Sequence, residues 1–165
     1  MDIINNKKNI MNIETLQLDE KHWSTSWIPI SYKINKKSQT FLWSEKYQII
    51  AICRAYYISN TKIEIGDVWV NEKYRGKRNE NGTKYSVLFM REVISKIWKI
   101  YESVTKIGLI VDKENLPAIK LYQKLHFKKI KNITSKKLKI SNGIYMERVK
   151  RLRTNKSKKN TIIKN

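Results

Sequence analysis

Residues 107–127 constrain this chain more than any other stretch, reading GLIVDKENLPAIKLYQKLHF from Gly108 onward. Residues 106–112 form an apolar run of strand length, too short to stand as a helix. Pro117 then falls where proline suits the first turn of a helix, behind an Asn115 able to cap it. Ala118, Leu121, Tyr122 and Leu125 are spaced three and four apart and so share one helical face. A buried strand that turns directly into a capped helix calls for a sheet on which that helix can lie, which points to a mixed α and β fold.

A second unit of the same kind comes earlier. Residues 62–70 read as a strand that enters the turn Tyr74-Arg75-Gly76-Lys77, and residues 83–101 carry a helical period. Val87, Met90, Ile94, Ile97 and Tyr101 form its apolar face, while Lys84, Arg91, Glu92, Lys96 and Lys99 mostly occupy the other side. Upstream, residues 11–18 suit a first strand and residues 19–27 a short helix closed by Ile28-Pro29. A connector over 31–39 leads to a hairpin of residues 40–44 and 48–58, turning at Glu45-Lys46. Downstream, residues 127–133 and 143–149 read as two closing strands with Asn142-Gly143 as their turn signal. The expected order is β, α, β, β, β, α, β, α, β, β.

Length and charge bound the function. A chain of 165 residues suits one domain with a sizeable core, expected over residues 1–149, followed by a basic, disordered tail over 150–165. No apolar run is long enough for a bilayer span, and the first residues lack the pattern of a signal peptide, so a cytoplasmic or nuclear site is expected, with no membrane partner. One cysteine, Cys53, makes no internal disulfide, and two distant histidines give no metal-ligand spacing; no metal is expected. The net charge of +21 has two readings. A field of that size favours phosphate-rich partners and steers their association. Ile, Lys and Asn also make up roughly two-fifths of the chain, as drift in an AT-rich genome would produce without any partner.

Two strand-to-helix units in this order, ending in Asn115-x-x-Ala118-x-x-Leu121-Tyr122-x-x-Leu125-x-Phe127, resemble the acetyl-CoA-binding half of a GCN5-related N-acetyltransferase (GNAT); the resemblance covers roughly residues 40–149. It implies a mixed, mostly antiparallel twisted sheet flanked by helices, with a splayed strand pair holding acetyl-CoA. In the family the phosphate turn reads Arg/Gln-x-x-Gly-x-Gly/Ala. Arg75, Gly76 and Lys77 fit its opening. An ungapped reading then puts Arg78 and Glu80 where the two glycines belong. Two extra residues in the loop instead align Gly82 and Thr83 with the end of the motif, and this gapped reading keeps the helix in phase, with Gly82 free to take the tight geometry. By resemblance Arg75, Gly76, Lys77, Arg78, Gly82, Thr83 and Lys84 hold the pyrophosphate at a helix N-terminus. The backbone of Val68, Trp69 and Val70 pairs with the pantetheine arm as an added strand would. Asn115, with Ala118 and Tyr122, flanks the arm from the other side. Taken alone, Asn115 is equally well a helix cap and the loop equally well an exposed basic turn.

Transfer of acetyl to an amine needs a neutral nucleophile, a stabilised oxyanion and a proton for the leaving thiolate. Lysine-like amines are almost wholly protonated near neutrality, with a pKa of about 10.4, so a base must act as attack occurs. A backbone N–H of the strand 62–70 can hold the oxyanion. The resemblance makes Tyr122 the general acid; the alternative is a core aromatic, since it lies on the apolar face. His126 stands where the family has glycine, and histidine tolerates left-handed backbone. Glu64, eleven residues before Arg75, matches the base of the histone acetyltransferase branch, against a paired surface carboxylate as the alternative. Alternation puts Asp67 on the opposite face of that strand. Cys53 reads as a small buried apolar residue.

The expected function is therefore an acyltransferase moving acetyl from acetyl-CoA to a primary amine through a ternary complex. The acceptor is a small amine, a protein N-terminus, a lysine or an RNA-bound amine, and the protein a monomer or homodimer. Two alternatives belong to other classes: a catalytically degenerate GNAT scaffold, and a nucleic-acid-binding protein led by the basic surface and by the tail from Lys150 to Lys159.

Overall fold

In a computed structural model, the described residues are 13–16, 38–45, 48–135 and 140–151. They form seven strands and two helices: β1 (Ile13–Leu16), β2 (Ser38–Glu45), β3 (Gln48–Ser59), β4 (Lys62–Val70), α1 (Tyr85–Ile100), β5 (Lys106–Asp112), α2 (Leu116–Lys124), β6 (Lys128–Ser135) and β7 (Ile140–Val149). The strands make one sheet in the order β1-β2-β3-β4-β5-β7-β6. Every neighbouring pair is antiparallel except β4 and β5. The parallel pair is joined by a crossover through α1, as parallel strands require. The expected helix over 19–27 and nearly all of the expected tail lie outside the described residues.

β3, an interior strand between β2 and β4, carries an almost unbroken apolar sequence. Residues 50–55 are all buried, so both faces of the strand are covered. One face holds Phe41, Cys53, Ala55, Ile63, Ile65, Ile107, Leu109, Val111, Ile144 and Met146, and these join α1 and α2 in a single apolar core. Both helices lie over this face. α1 contributes Val87, Phe89, Met90, Val93, Ile94 and Ile97, an amphipathic stripe broader than the spacing alone marks out. Fully burying a side chain of this size is worth about 1.5–3 kcal/mol, so the helix is held by packing, having no side-chain cap at Lys84.

α2 is short and depends on its ends. Asn115 Oδ1 accepts from Ala118 N at 3.2 Å, with Pro117 in the first turn. At the other end His126 takes φ +65°, Phe127 N donates to Tyr122 O at 3.0 Å, and His126 N donates to Gln123 O at 2.9 Å. This is the Schellman pattern, in which the left-handed residue is normally glycine. A left-handed residue bearing a Cβ costs about 1–2 kcal/mol. Leu125 and Phe127, on either side of His126, are both buried, and their combined burial outweighs that strain.

Asn142-Gly143 is not a turn. Gly143 lies inside β7, paired with Asp112 of β5 and Ile133 of β6. The dipeptide is a strong local hairpin signal, but ladder bonds to strands on both sides override it. Residues 136–139, between β6 and β7, lie outside the described residues.

Replacing His126 with glycine removes the left-handed strain and keeps the cap. It should stabilise the protein by about 1 kcal/mol, a rise of roughly 2–4 °C in Tm for a chain of this size. Thermal unfolding of His126→Gly beside the parent protein measures this directly.

Candidate functional site

The sheet forks between its two parallel strands. β4 and β5 pair from Lys62↔Lys106 to Ile65↔Leu109 and then stop, although both strands continue, to Val70 and Asp112. The cause lies on the other edge of β4. Its register against β3 passes from Arg54↔Gly66 to Ile52↔Trp69, so Asp67 and Val68 together face the single residue Cys53. Such a bulge bends its strand and increases the local twist. Asp67 takes φ +50°, a conformation that aspartate tolerates better than most side chains.

The bulge also corrects the expected side-chain directions. Alternation sends Asp67 away from Glu64, but the extra residue turns it back onto the same face. There the Tyr56 hydroxyl donates to Asp67 Oδ2, and Arg54 Nη1 lies 3.5 Å from the same oxygen. Tyr56 is the direct cross-strand neighbour of Glu64. This partly buried polar group goes beyond what the sequence pattern predicts. An arginine inside the apolar run of β3, one residue after Cys53, was the signal available for it.

Glu64 sits before the fork, in the paired part of β4, and forms an ion pair with Lys62 at 3.3 Å. Across the sheet from it Gly108 has no side chain. A Cβ there would fall 2.1 Å from the Tyr145 hydroxyl, so the phenol of Tyr145 lies directly over this glycine. That hydroxyl is buried with no hydrogen-bond partner among the described residues. Gly66 is covered in the same way by the ring of Tyr56. Two glycines thus let two tyrosines lie flat on the sheet, one on each side of Glu64.

On the opposite face, Tyr122 of α2 is 7% exposed and packs edge-on against Phe127, with ring centroids 5.9 Å apart. Its hydroxyl makes no hydrogen bond with the described residues. Burial pushes that hydroxyl well above the usual phenol range, and the nearby Cys53 thiol adds to the shift. A hydroxyl that holds its proton and has no acceptor among the described residues is available as a donor. Cys53 itself is fully buried, its thiol pushed up first by burial and then by Asp67, as suits a small core residue.

Both strand-to-helix turns leave the sheet at the open end of the fork. The first runs from Val70 to α1. Arg75 Nε donates to Val70 O at 2.7 Å, and Gly76 and Gly82 take φ +72° and +70°. Residues 78–84 fold out as a small hairpin, with Asn79 N donating to Thr83 O at 2.9 Å and Tyr85 N to Lys77 O at 3.2 Å. The loop therefore does contain an excursion. It also delays the helix, which starts at Tyr85 and not at Thr83, because Thr83 and Lys84 are taken up by the hairpin. Glu80 lies at the exposed tip. Around the start of α1 the N–H groups of Gly76, Arg78, Lys84 and Ser86 make no hydrogen bond with the described residues. Arg75, Lys77, Arg78 and Lys84 are all exposed beside them. Tyr74 and Trp43 pack against Tyr85 with ring centroids 5.3 and 5.5 Å away, which anchors the base of the loop. At the second turn Asn115 spends Oδ1 on the cap and keeps its Nδ2 donors.

A pantetheine-like arm fits this arrangement: unpaired strand edges on both sides of a fork, donors beside a helix N-terminus, and, on the helix that leaves the open end, a phenol with no hydrogen-bond partner among the described residues. The groups expected at one site, from Val68 to Lys84 and from Asn115 to Tyr122, come from elements that meet at this end of the sheet. Glu64 stands apart from Tyr122, on the other face. Among the described residues, no group of three or more His, Cys, Asp or Glu could hold a metal ion, and no helix is long and apolar enough to cross a membrane.

The raised tyrosines have a consequence for stability. Tyr122 and Tyr56 are both held above their unfolded value of about 10, Tyr56 by burial and then by Asp67, against an opposing effect of Arg54. A folded-state pKa above the unfolded one gives stability that is fully present below about pH 10 and lost as pH rises toward the folded value. Unfolding free energy followed by denaturant titration should therefore fall less steeply above about pH 10 in Tyr122→Phe than in the parent protein.

No family model and no curated protein matches this chain. Solved structures do. The Campylobacter jejuni N-acetyltransferase PseH, also solved with acetyl coenzyme A, is 20% identical with a TM-score of 0.52, over 71% of this chain and 71% of its own. A GNAT family acetyltransferase from Elizabethkingia anophelis with acetyl-CoA bound is 16% identical with a TM-score of 0.55, over 68% of this chain and 76% of its own. A chimera of the Vibrio cholerae spermidine N-acetyltransferase SpeG is 15% identical with a TM-score of 0.57, over 70% of this chain and 68% of its own. With its forked parallel pair and the two strand-to-helix turns at the mouth of that fork, the chain has the GNAT acetyltransferase fold.

Proposed function

We propose that the protein is an N-acetyltransferase that moves acetyl from acetyl-CoA to a primary amine within a ternary complex. The fork carries this reading: β4 and β5 part after Ile65↔Leu109, and the unpaired, strongly protonated Tyr122 hydroxyl belongs to the helix that leaves the fork's open end. Acetyl-CoA, when bound, supplies the acetyl thioester. The residues of the chain do the rest. Free N–H groups at Gly76, Arg78, Lys84 and Ser86, with the four basic side chains beside them, bind the pyrophosphate. The edges of Val68, Trp69 and Val70 align the arm, and Asn115 Nδ2 holds it from α2. Tyr122 gives its proton to the departing sulfur; its raised pKa keeps that proton in place at neutral pH.

Three solved neighbours that act as acetyltransferases support the class of reaction. The acceptor is proposed only as a primary amine. A protein of charge +21 disfavours strongly cationic acceptors at long range.

Calorimetric titration with acetyl-CoA, set beside a short polyphosphate of similar charge, tests the binding half. Acetyl-CoA should bind selectively and keep most of its affinity at raised salt. Equal binding of the polyphosphate would mean nonspecific anion attraction, the behaviour expected of a scaffold or a nucleic-acid binder. Arg75→Glu should weaken acetyl-CoA binding. Tyr122→Phe should lower turnover by roughly 10–100-fold and leave acetyl-CoA affinity nearly unchanged, the scale of losing one proton donor. Parallel loss of affinity would make Tyr122 a packing residue only.

A further inference from the structure

We infer that Asp67, on the bulge, is the carboxylate that receives the acceptor amine and takes its proton, and that Glu64 is not; this rests on the acetyltransferase reading above. Position is the first ground. The open part of the fork begins where β4–β5 pairing ends, after Ile65, and Asp67 lies just inside it, while Glu64 lies in the paired ladder. The second is commitment. Glu64 faces the Lys62 ammonium at 3.3 Å, within a charged row that continues through Lys106 and Glu147, paired at 3.8 Å. Asp67 spends only Oδ2, on Tyr56 and Arg54, and Oδ1 makes no hydrogen bond with the described residues. The third is orientation. The φ of +50° is what turns the carboxylate onto the face opposite the helices, and strained backbone of this kind persists where the surroundings over-determine it. Here Tyr56 and Arg54 hold Oδ2, which fixes the plane of the carboxylate and leaves Oδ1 as the open acceptor.

The step balances. The ammonium proton of the acceptor passes to Asp67 Oδ1, directly or through one water. The freed nitrogen lone pair forms the C–N bond to the acetyl carbon, the C–S bond breaks, and the thiolate takes the proton of Tyr122; the second proton of the nitrogen is lost as the amide forms and returns through water to the Tyr122 phenolate. By register, the charged and titratable groups of β3 to β7 that share the face of Asp67 are Arg54 and Tyr56 on β3, Lys62 and Glu64 on β4, Lys106 and Asp112 on β5, Lys128 and Lys131 on β6, and Tyr145 and Glu147 on β7.

The test uses two probe nucleophiles, n-propylamine and hydroxylamine. The first is protonated near neutrality and needs a base; the second is already neutral and needs none. Asp67→Asn keeps the size of the side chain and its tolerance of left-handed backbone. It should cut acetyl transfer to n-propylamine by about 100-fold or more and change transfer to hydroxylamine by no more than a few-fold, with acetyl-CoA affinity retained. Saturation-transfer NMR of n-propylammonium on the CoA-bound protein gives a readout without turnover; the signal should be lost in Asp67→Asn and kept in Glu64→Gln. Equal loss with both nucleophiles overturns the assignment, as does selective loss in Glu64→Gln or an undiminished NMR signal in Asp67→Asn. Parent protein that binds acetyl-CoA selectively but transfers to neither probe overturns the transferase reading, and this inference with it; acetyl-CoA affinity, measured separately, tells the two failures apart.

Discussion

One extra residue in β4 sets the geometry of the whole site. Up to Ile65 the strand is laddered on both sides, to β3 and to β5. Beyond the bulge it keeps β3 and loses β5. A regular strand would leave a closed sheet with nowhere for an extended ligand to enter. The bulge separates the strands while the core below stays continuous, because Val68 and Val70 still pack against it. The strain of a left-handed aspartate, of order 1–3 kcal/mol, is offset where it arises by the contacts of Asp67 with Tyr56 and Arg54, a charged hydrogen bond being worth about 1.5–3 kcal/mol.

Some of this was legible in the chain. β4 and β5 fall on the expected residues, 62–70 and 106–112, because each is a compact apolar run bounded by polar turns. The Asn115 cap and the core-facing side of Tyr122 followed from spacing, and the tolerance of His126 for left-handed backbone from its standing where the resembled family has glycine. The bulge was not legible. Alternation assumes an uninterrupted strand, and Gly66-Asp67 carries no mark that distinguishes a bulge from an ordinary strand interior. Asn142-Gly143 misled for the opposite reason: its local preference is strong, and only long-range ladder partners defeat it. The loop excursion fell between the two, since its length was readable but the hairpin that shifts the start of α1 depends on pairing between Arg78 and Lys84.

Charge is distributed unevenly over the molecule. The loop before α1 is exposed and rich in arginine and lysine, with Glu72 and Glu80 as its acidic residues and Glu72 close to Arg75 at 3.7 Å. On the sheet face that carries Glu64 and Asp67, carboxylates and cations are instead matched: Lys62 with Glu64, Arg54 with Asp67 and Lys106 with Glu147. A net charge of +21 does not by itself describe a site. A positive field attracts anions most where basic groups are exposed, as in this loop, while on the other face the three ion pairs offset charge locally.

The same logic of local fixation applies to Tyr122. A general acid, the role proposed above for Tyr122, has to keep its proton and hold its position, and the end of α2 would supply both. The Tyr122 carbonyl accepts from Phe127 N and Leu125 N, so the backbone beneath the ring is tied into the helix cap. The ring meets Phe127 edge-on, the hydrophobic contact that accompanies a Schellman cap. His126 is the residue that closes this cap. A left-handed histidine at that position is therefore part of what aims the phenol, and its strain is sustained by the burial of Leu125 and Phe127 on either side. The helix end and the Tyr122 phenol are one structural unit, and the geometry of the phenol is set by the packing beneath it.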